Sequence, residues 1–92
     1  MHEVFSFIYQ SIKRDYKIIQ KRNYPLNQIV TVFELLENNN DFPEKYHLHK
    51  LSGKYNDCWE CHIRPDWLLI WRYNEKLKEI ELIRTGTHSD LF

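Results

Sequence analysis

Histidines, carboxylates and one arginine stand near the ends of extended segments, and together they suit proton transfer on a phosphate ester. Histidine titrates near neutrality, so it can act as a general base or a general acid. Arginine can stabilise charge that develops on phosphate oxygens. RNA matches this set because its 2′-hydroxyl is an internal nucleophile, so no covalent nucleophile is needed from the protein. The candidate catalytic residues are His49, Glu60, His62, Asp66, Arg84 and His88.

The stretch CWECH, residues 58–62, matches the C-x-x-C-H pattern of covalent haem attachment. Its alternation of residue types predicts a strand, in which Cys58 and Cys61 point to opposite faces. A haem, a metal or a redox disulfide needs both sulfurs on one side. We therefore expect no cofactor and no metal. Haem, or a zinc ion bound with help from His47 or His49, is the less favoured alternative.

The same alternation places Glu60 and His62 on one face of the strand, opposite Trp59, Cys61 and Ile63. If helices cover the tryptophan face, this carboxylate and imidazole lie on the open face, where they can meet a substrate. The alternative is an ordinary exposed strand surface without chemistry. The role of the pair therefore depends on how the sheet is covered.

The spacing of apolar residues predicts an α+β fold with the helices first. A short strand at residues 3–5 precedes helical spacing that continues to Lys21 and resumes after Pro25, so the two helices form a hairpin. We expect a single domain over residues 1–92, in which this strand and the helical hairpin pack on one face of a small antiparallel β-sheet and leave the other face free for a ligand. The predicted sheet strands cover residues 59–63, 67–73 and 77–83.

Composition and charge describe an ordinary globular protein. Of the 92 residues, 42% are hydrophobic and 15% aromatic, and 13 basic residues balance 13 acidic ones. The apolar runs are far shorter than the roughly 20 residues of a membrane span, and no secretion signal is recognisable. We expect a cytoplasmic protein with no membrane contact.

One segment departs from this neutrality. Residues 13–22 contain five basic residues and a single acidic one, Asp15. A basic helix face can attract a polyanion, although a plain solvated face is the commoner meaning of such a run. The predicted RNA contacts in this segment are Lys13, Lys17 and Lys21.

Three stretches then carry a family signature: HKLSG at residues 49–53, ECHIRPDWLLIW at residues 60–71 and RTGTHSDLF at residues 84–92. Their order and spacing closely resemble the YafQ branch of the RelE/ParE superfamily of bacterial toxins from type II toxin–antitoxin systems. The resemblance extends over nearly the whole chain, including the helical hairpin. It implies a small antiparallel sheet with helices on one side and a catalytic cleft on the sheet.

The resemblance also implies an activity and partners. It implies a ribosome-dependent endoribonuclease that enters the ribosomal A site and cuts mRNA. It further implies an antitoxin protein whose disordered segment folds over the toxin and blocks or distorts the cleft. The residues that correspond by position to the family site are His49, Glu60, His62, Asp66, Trp67, His88 and Phe92.

A cleavage hypothesis follows from these correspondences. A base, which is His49, His62 or Asp66, removes the proton from the 2′-hydroxyl. Arg84 stabilises the pentacoordinate phosphorane, and His88 protonates the departing 5′-oxygen. The C-terminal tail is then ordered because it belongs to the active site, with Gly86 supplying a positive φ angle where the tail turns back across the sheet.

RNA contacts complete the expected site. Trp59 stands where many relatives carry an arginine, so Arg72 is the alternative to Arg84 as a phosphate contact. Phe92 would stack on a base or order the site. The remaining predicted RNA-binding residues are Trp67, Lys50 and Lys54.

Two other functions remain open from the sequence. The first is a gyrase-inhibiting toxin of the ParE branch, which would share the fold but would not need the histidine set. The second is a non-catalytic module that only binds RNA or an antitoxin. Retained binding without cleavage would identify the second.

Overall fold

The computed structural model describes residues 5–38 and 41–92, which form a helical hairpin, a sheet and a short C-terminal helix. Two 3₁₀ turns, Glu44–Tyr46 and Gly53–Tyr55, flank the second strand. The described elements are β1 (Ser6–Ile8), α1 (Lys13–Lys21), α2 (Leu26–Glu37), β2 (His49–Lys50), β3 (Trp59–Arg64), β4 (Trp67–Asn74), β5 (Glu79–Gly86) and α3 (His88–Leu91).

The five strands form one sheet in the order β1-β5-β4-β3-β2. Strands β2 to β5 pair in antiparallel fashion, which was predicted for β3, β4 and β5, whereas β2 was not predicted. β1 instead runs parallel to β5, opposite residues 79–81. The predicted α+β fold with its helical hairpin is confirmed, and the N-terminal strand makes the sheet mixed. None of the helices in the described ranges is long and apolar enough to cross a membrane.

The predicted boundaries near the N-terminus are wrong. The strand lies at Ser6–Ile8 rather than at residues 3–5, of which 3 and 4 lie outside the described residues, and α1 begins only at Lys13. Phe5 and Phe7 pack against the core from the strand side. Their alternation fits a strand, but the spacing of Phe5 and Ile8 also fits a helix, so periodicity alone placed the start of the helix too early.

The predicted break between the helices is confirmed. Asn23 has a left-handed φ of 59°, and Pro25 immediately precedes α2. Asparagine tolerates this conformation better than most residues. The hairpin buries one side of each helix, including Ile19, Ile29 and Val32.

The last strand begins two residues later than predicted and continues to Gly86. The Leu77 amide donates to the Asn74 side-chain oxygen at 3.0 Å, and Lys78 has a φ of 54°, so a turn occupies the segment before β5. Leu77 is 63% exposed. Its apolar side chain led to the wrong prediction that the strand begins at residue 77.

Both faces of the sheet are covered, although unequally. The helices cover the face that carries Cys61, Trp67 and Trp71, as expected. The opposite face was predicted to be free, and this is wrong over much of its area. A second, smaller core lies there beneath α3 and the Gly53–Tyr55 turn, and it consists of Tyr55, Cys58, Leu68, Ile70 and Leu91.

Thr85 ties β5 to the core beneath the helices. Its hydroxyl accepts a hydrogen bond from Trp67 Nε1 at 2.9 Å and donates to the Leu68 carbonyl at 2.8 Å. Its backbone amide donates to Asp15 Oδ2 at 3.1 Å. Thr85 is only 2% exposed, so water cannot replace these bonds.

Thr85→Val should therefore destabilise the protein, because it keeps the shape and leaves the Trp67 indole N–H buried without an acceptor. We expect the free energy of unfolding to fall by about 1–3 kcal/mol. Urea denaturation followed by tryptophan fluorescence measures it. Thr85→Ser, which keeps the hydroxyl, is the matched control, and equal loss in both variants would show that the hydroxyl is unimportant.

Candidate active site

Pairing of β2 with β3 builds a cluster of two histidines around one carboxylate. His49 lies opposite Glu60 in the register, and His62 follows two residues along the same strand face. Glu60 Oε1 is 3.1 Å from His49 Nε2 and 3.7 Å from His62 Nε2. Glu60 is buried, whereas both imidazoles are partly open to solvent. The predicted pairing of Glu60 and His62 on one face is confirmed, and His49 joins it.

Backbone carbonyls orient both rings. His49 Nδ1 lies 2.7 Å from the His47 carbonyl oxygen, and His62 Nδ1 lies 3.2 Å from the Pro65 carbonyl oxygen. A carbonyl only accepts hydrogen bonds, so each Nδ1 carries the proton in these contacts. With Glu60 ionised, His49 can bond both the carbonyl and Glu60 only when doubly protonated. Losing its Nε2 proton makes this ring an available base.

The C-terminal tail supplies a second group of aromatic and polar side chains. The His88 ring stacks on Phe92 with centroids 4.9 Å apart, and Phe92 meets the edge of Tyr55 at 5.4 Å. The Tyr55 hydroxyl donates to the Leu91 carbonyl at 3.0 Å. Phe92 is 54% exposed, so part of its ring remains accessible to a ligand.

The turn between β3 and β4 contacts both the histidine cluster and the C-terminal tail. Its Pro65 carbonyl orients His62, and its Asp66 Oδ1 accepts a hydrogen bond from the His88 amide at 3.1 Å. A register shift between His62 and Arg64 lets the chain bend there. The predicted site residues His62, Asp66 and His88 are thus linked through one turn.

An ion pair with Arg22, the residue that follows α1, fixes the tail. Arg22 donates to both oxygens of Asp90, at 2.6 and 3.1 Å, and Asp90 also accepts the Thr87 amide at 2.8 Å in a capping box of α3. Gly86 has a positive φ of 155°, as predicted, and an added Cβ would lie 2.8 Å from Asp90 Oδ2. Glycine is needed there because the capping carboxylate occupies the space.

Arg84 is held by Asp15 rather than free. Its Nε and Nη2 donate to the two Asp15 oxygens at 2.6 and 3.2 Å, and its Nη1 lies 3.4 Å from the Tyr55 hydroxyl. The hydrogen bonds that Arg84 donates to Asp15 raise the pKa of Arg84. Nη1, which makes the longest of these contacts, is the donor best able to turn to another anion. Arg72, the alternative, pairs with Glu81 across β4 and β5.

A family model described as the bacterial toxin YafQ of type II toxin–antitoxin systems matches residues 6–92. The chain belongs to the YafQ toxin family. The mRNA interferase toxin YafQ of Escherichia coli K12 is 39% identical over 80 residues, which cover 86% of this chain and 85% of that protein.

Solved structures of similar toxins match this fold over nearly the full length of the chain. A chain of the E. coli DinJ–YafQ toxin–antitoxin complex is 31% identical with a TM-score of 0.84, covering 100% of this chain and 99% of that chain. A metal-bound toxin from Helicobacter pylori is 30% identical with a TM-score of 0.87, covering 98% of this chain and 100% of that chain. The resemblance inferred from the three motifs is confirmed.

One predicted RNA contact in this YafQ-family chain is wrong. Trp67 is 1% exposed, packs edge-on against Tyr24 at 5.0 Å and donates its indole N–H to Thr85. The tryptophan of the PDW motif is therefore a core residue, and RNA cannot reach it. Its neighbour Asp66 is exposed and does face the site.

The predicted lysine contacts divide into two groups. Lys54 lies over the Tyr55 ring, on the same face of the sheet as the cluster, whereas Lys50 lies over the Trp59 ring, on the opposite face. Lys13, Lys17 and Lys21 are exposed on α1. Lys13 and Lys17 line a separate groove of about 440 Å³ next to Tyr16 and Phe33.

The cysteines behave as predicted. Cys58 and Cys61 lie in the two different cores, on opposite faces of the sheet, and both are free and buried. Burial raises the pKa of both thiols. They cannot jointly bind a haem or a metal.

His49, Glu60 and His62 nevertheless fit a small metal ion. Their ligand atoms lie within 4.8 Å of one another, and Glu60 Oε2 is buried without a hydrogen-bond partner among the described residues. Two imidazole nitrogens and a carboxylate form a ligand set that suits zinc or copper. A bound ion would occupy the Nε2 lone pairs and supply Lewis acidity, so the same histidines could not then act as proton acceptors.

Sequence reasoning missed four residues that shape the site: Tyr55, Asp15, Arg22 and Asp90. Tyr55 follows the HKLSG motif closely, and Asp15 is the single acid within the basic segment. A lone carboxylate on a basic helix was therefore the one sequence feature that could have pointed to Asp15 as a structural residue. Its partner Arg84 is 69 residues away, and nothing in the sequence around Arg84 indicates the pairing.

The tail should lose its anchor at acidic pH. The Arg22 guanidinium holds the pKa of the Asp90 carboxyl well below its ordinary value of 3.8. A lowered pKa in the folded state stabilises folding fully above that ordinary value, and this contribution is lost as pH falls below it. The free energy of unfolding of Asp90→Asn should therefore lie below that of the parent at neutral pH, with a gap that shrinks below about pH 4.

Urea denaturation of both proteins across this pH range measures the gap. Glu75→Gln removes a carboxylate that is 74% exposed and should match the parent throughout. A gap for Asp90→Asn that stays constant at low pH would contradict the ionic origin of the anchor.

Proposed function

We propose that this chain is the toxin of a type II toxin–antitoxin pair and acts as an mRNA interferase, a ribosome-dependent endoribonuclease that halts translation. The observation that carries this proposal is the linkage of two proton-transfer groups through the β3–β4 turn. The Pro65 carbonyl of that turn contacts the His62 ring, and its Asp66 carboxylate accepts a hydrogen bond from the His88 amide. Such a pair can deprotonate one oxygen and protonate another on the same phosphate.

The reaction is an internal transesterification. His49 or His62 takes the proton from the 2′-hydroxyl, and the 2′-oxygen attacks the adjacent phosphorus. The P–O5′ bond breaks as His88 donates its proton to the leaving 5′-oxygen. The products are a 2′,3′-cyclic phosphate and a 5′-hydroxyl end, with no net change in protons.

Three further groups support the reacting atoms. Buried Glu60 stabilises the imidazolium that forms after proton abstraction. Asp66 holds the His88 backbone and thereby positions the acid. The Arg84 charge lies beside the tail, and its Nη1 can exchange the long Tyr55 contact for a phosphate oxygen.

RNA and protein partners follow from the exposed surface. Phe92 offers an aromatic face to a base, a contact generally worth about 1–3 kcal/mol. Lys54 approaches the RNA backbone on the cluster side, and Lys50 does so from the edge strand β2. The lysines of α1 contact ribosomal RNA through counterion release. The cellular site is the cytoplasm, where ribosomes and a cognate antitoxin are present, and cleavage requires no metal.

His88→Ala should cleave about 10²-fold to 10⁴-fold more slowly than the parent, because it lacks the general acid. The assay is primer extension on a defined mRNA, either bound in the ribosome or naked. Ser89→Ala, next to it on the exposed side of α3, is the matched control and should cut normally.

Equal cleavage by His88→Ala and the parent at every pH would refute the assignment of the acid. A folded parent that binds RNA or the ribosome and cuts neither RNA would leave the non-catalytic module as the function.

A further inference from the structure

An open cavity of about 820 Å³ lies beside the histidine cluster, and no residue of the tail lines it. Its walls come from Gln28 and Thr31 of α2, Lys45 and Tyr46 of the first 3₁₀ turn, and Arg64 at the end of β3. His62 forms the boundary between this cavity and the cluster. Its volume falls in the range of about 300–1,000 Å³ typical of ligand sites.

Cationic side chains dominate the polar wall. Lys45 and Arg64 line the cavity together with His47, and no aspartate or glutamate does so in the described part of the chain. The overall charge of the protein is zero, so this concentration is local. Such a surface selects an anion.

Arg64 is pre-oriented for a phosphate. Its Nε donates to Gln28 Oε1 at 2.7 Å, which fixes the guanidinium plane. Its two Nη groups have no protein acceptor within residues 5–38 and 41–92. A guanidinium held in this way presents two parallel donors, the geometry that binds phosphate in bidentate fashion.

Aromatic rings border the same space. The His47 ring meets the edge of His62 at 5.6 Å, and His47 is exposed. Lys45 Nζ lies 5.2 Å from the centre of the Tyr46 ring. Ile63 adds an apolar surface. Rings beside cations suit a base and its phosphate together.

We infer that this cavity binds one nucleotide of the RNA next to the cleaved bond, with its phosphate on Arg64 and Lys45 and its base against His47. Because His62 borders both the cavity and the catalytic cluster, the strand continues from one into the other. The inference rests on the proposed function and extends it, since it adds a subsite that fixes the register of the RNA.

Two adjacent positions of α2 give a matched test. Thr31 faces the cavity and is exposed, so Thr31→Glu places a negative charge inside it and leaves the histidine cluster intact. Val30 is 43% exposed and does not line the cavity, so Val30→Glu adds the same charge one residue away. Circular dichroism melting confirms that both variants fold.

The probe is an mRNA with a 2′-deoxynucleotide at the position the parent cuts, bound on the ribosome so that it binds toxin without reacting. Thr31→Glu should weaken toxin binding to this complex by about 10-fold, the effect expected when one charge-assisted hydrogen bond is disrupted. Val30→Glu should bind as the parent does. Equal affinities of the two variants would overturn the subsite.

Arg64→Ala gives an independent measurement. It should reduce the salt dependence of binding, with a log–log slope that is less negative by about 0.7 for each phosphate of single-stranded RNA that the variant no longer neutralises. Lys76→Ala, in the exposed β4–β5 turn, should leave the slope unchanged. An unchanged slope for Arg64→Ala would also overturn the subsite.

Failure of the proposed function gives a different pattern. A parent that binds the deoxy probe but never cuts unmodified mRNA refutes the nuclease, while a difference between Thr31→Glu and Val30→Glu still supports the subsite. If Thr31→Glu left RNA binding intact and weakened only the antitoxin complex, the cavity would belong to the protein partner and the inference would be wrong.

Discussion

The buried carboxylate of Asp15 is the constraint on which the C-terminal half of the site depends. It accepts two hydrogen bonds from Arg84 and one from the Thr85 amide, and so joins α1 to the end of β5. From Thr85 the bonds continue to Trp67 in the core, and from Arg84 they continue to Tyr55. A charge this buried is tolerated only because it is fully paired. These bonds therefore fix the position of the end of β5, from which the tail begins.

The proposed catalysis requires that His62 and His88, which both contact the β3–β4 turn, be held rigidly. The sheet register holds His49, Glu60 and His62, whereas the tail that carries His88 has only four residues of helix and needs outside support. That support comes from Asp66, from the Arg22–Asp90 ion pair and from Tyr55. An otherwise disposable chain end becomes part of a defined cleft.

The spacing of residues in the sequence predicted those features that depend only on local backbone geometry. Strand alternation placed Glu60 and His62 together and separated Cys58 from Cys61, because side chains on a strand alternate whatever the strand packs against. Burial depends on packing between distant segments, so the PDW motif alone did not show that Trp67 is buried. The Asp15–Arg84 pair and the second core under α3 also join residues far apart in sequence, for which hydrophobic periodicity carries no signal.

A single 2′-deoxynucleotide at the cleaved position of ribosome-bound mRNA removes the internal nucleophile of the proposed reaction. We expect the unmodified mRNA to yield 2′,3′-cyclic phosphate and 5′-hydroxyl ends, and the deoxy mRNA to bind without being cut there. Cleavage of the deoxy mRNA at a comparable rate would contradict the proposed transesterification, because water or a protein group would then be the nucleophile.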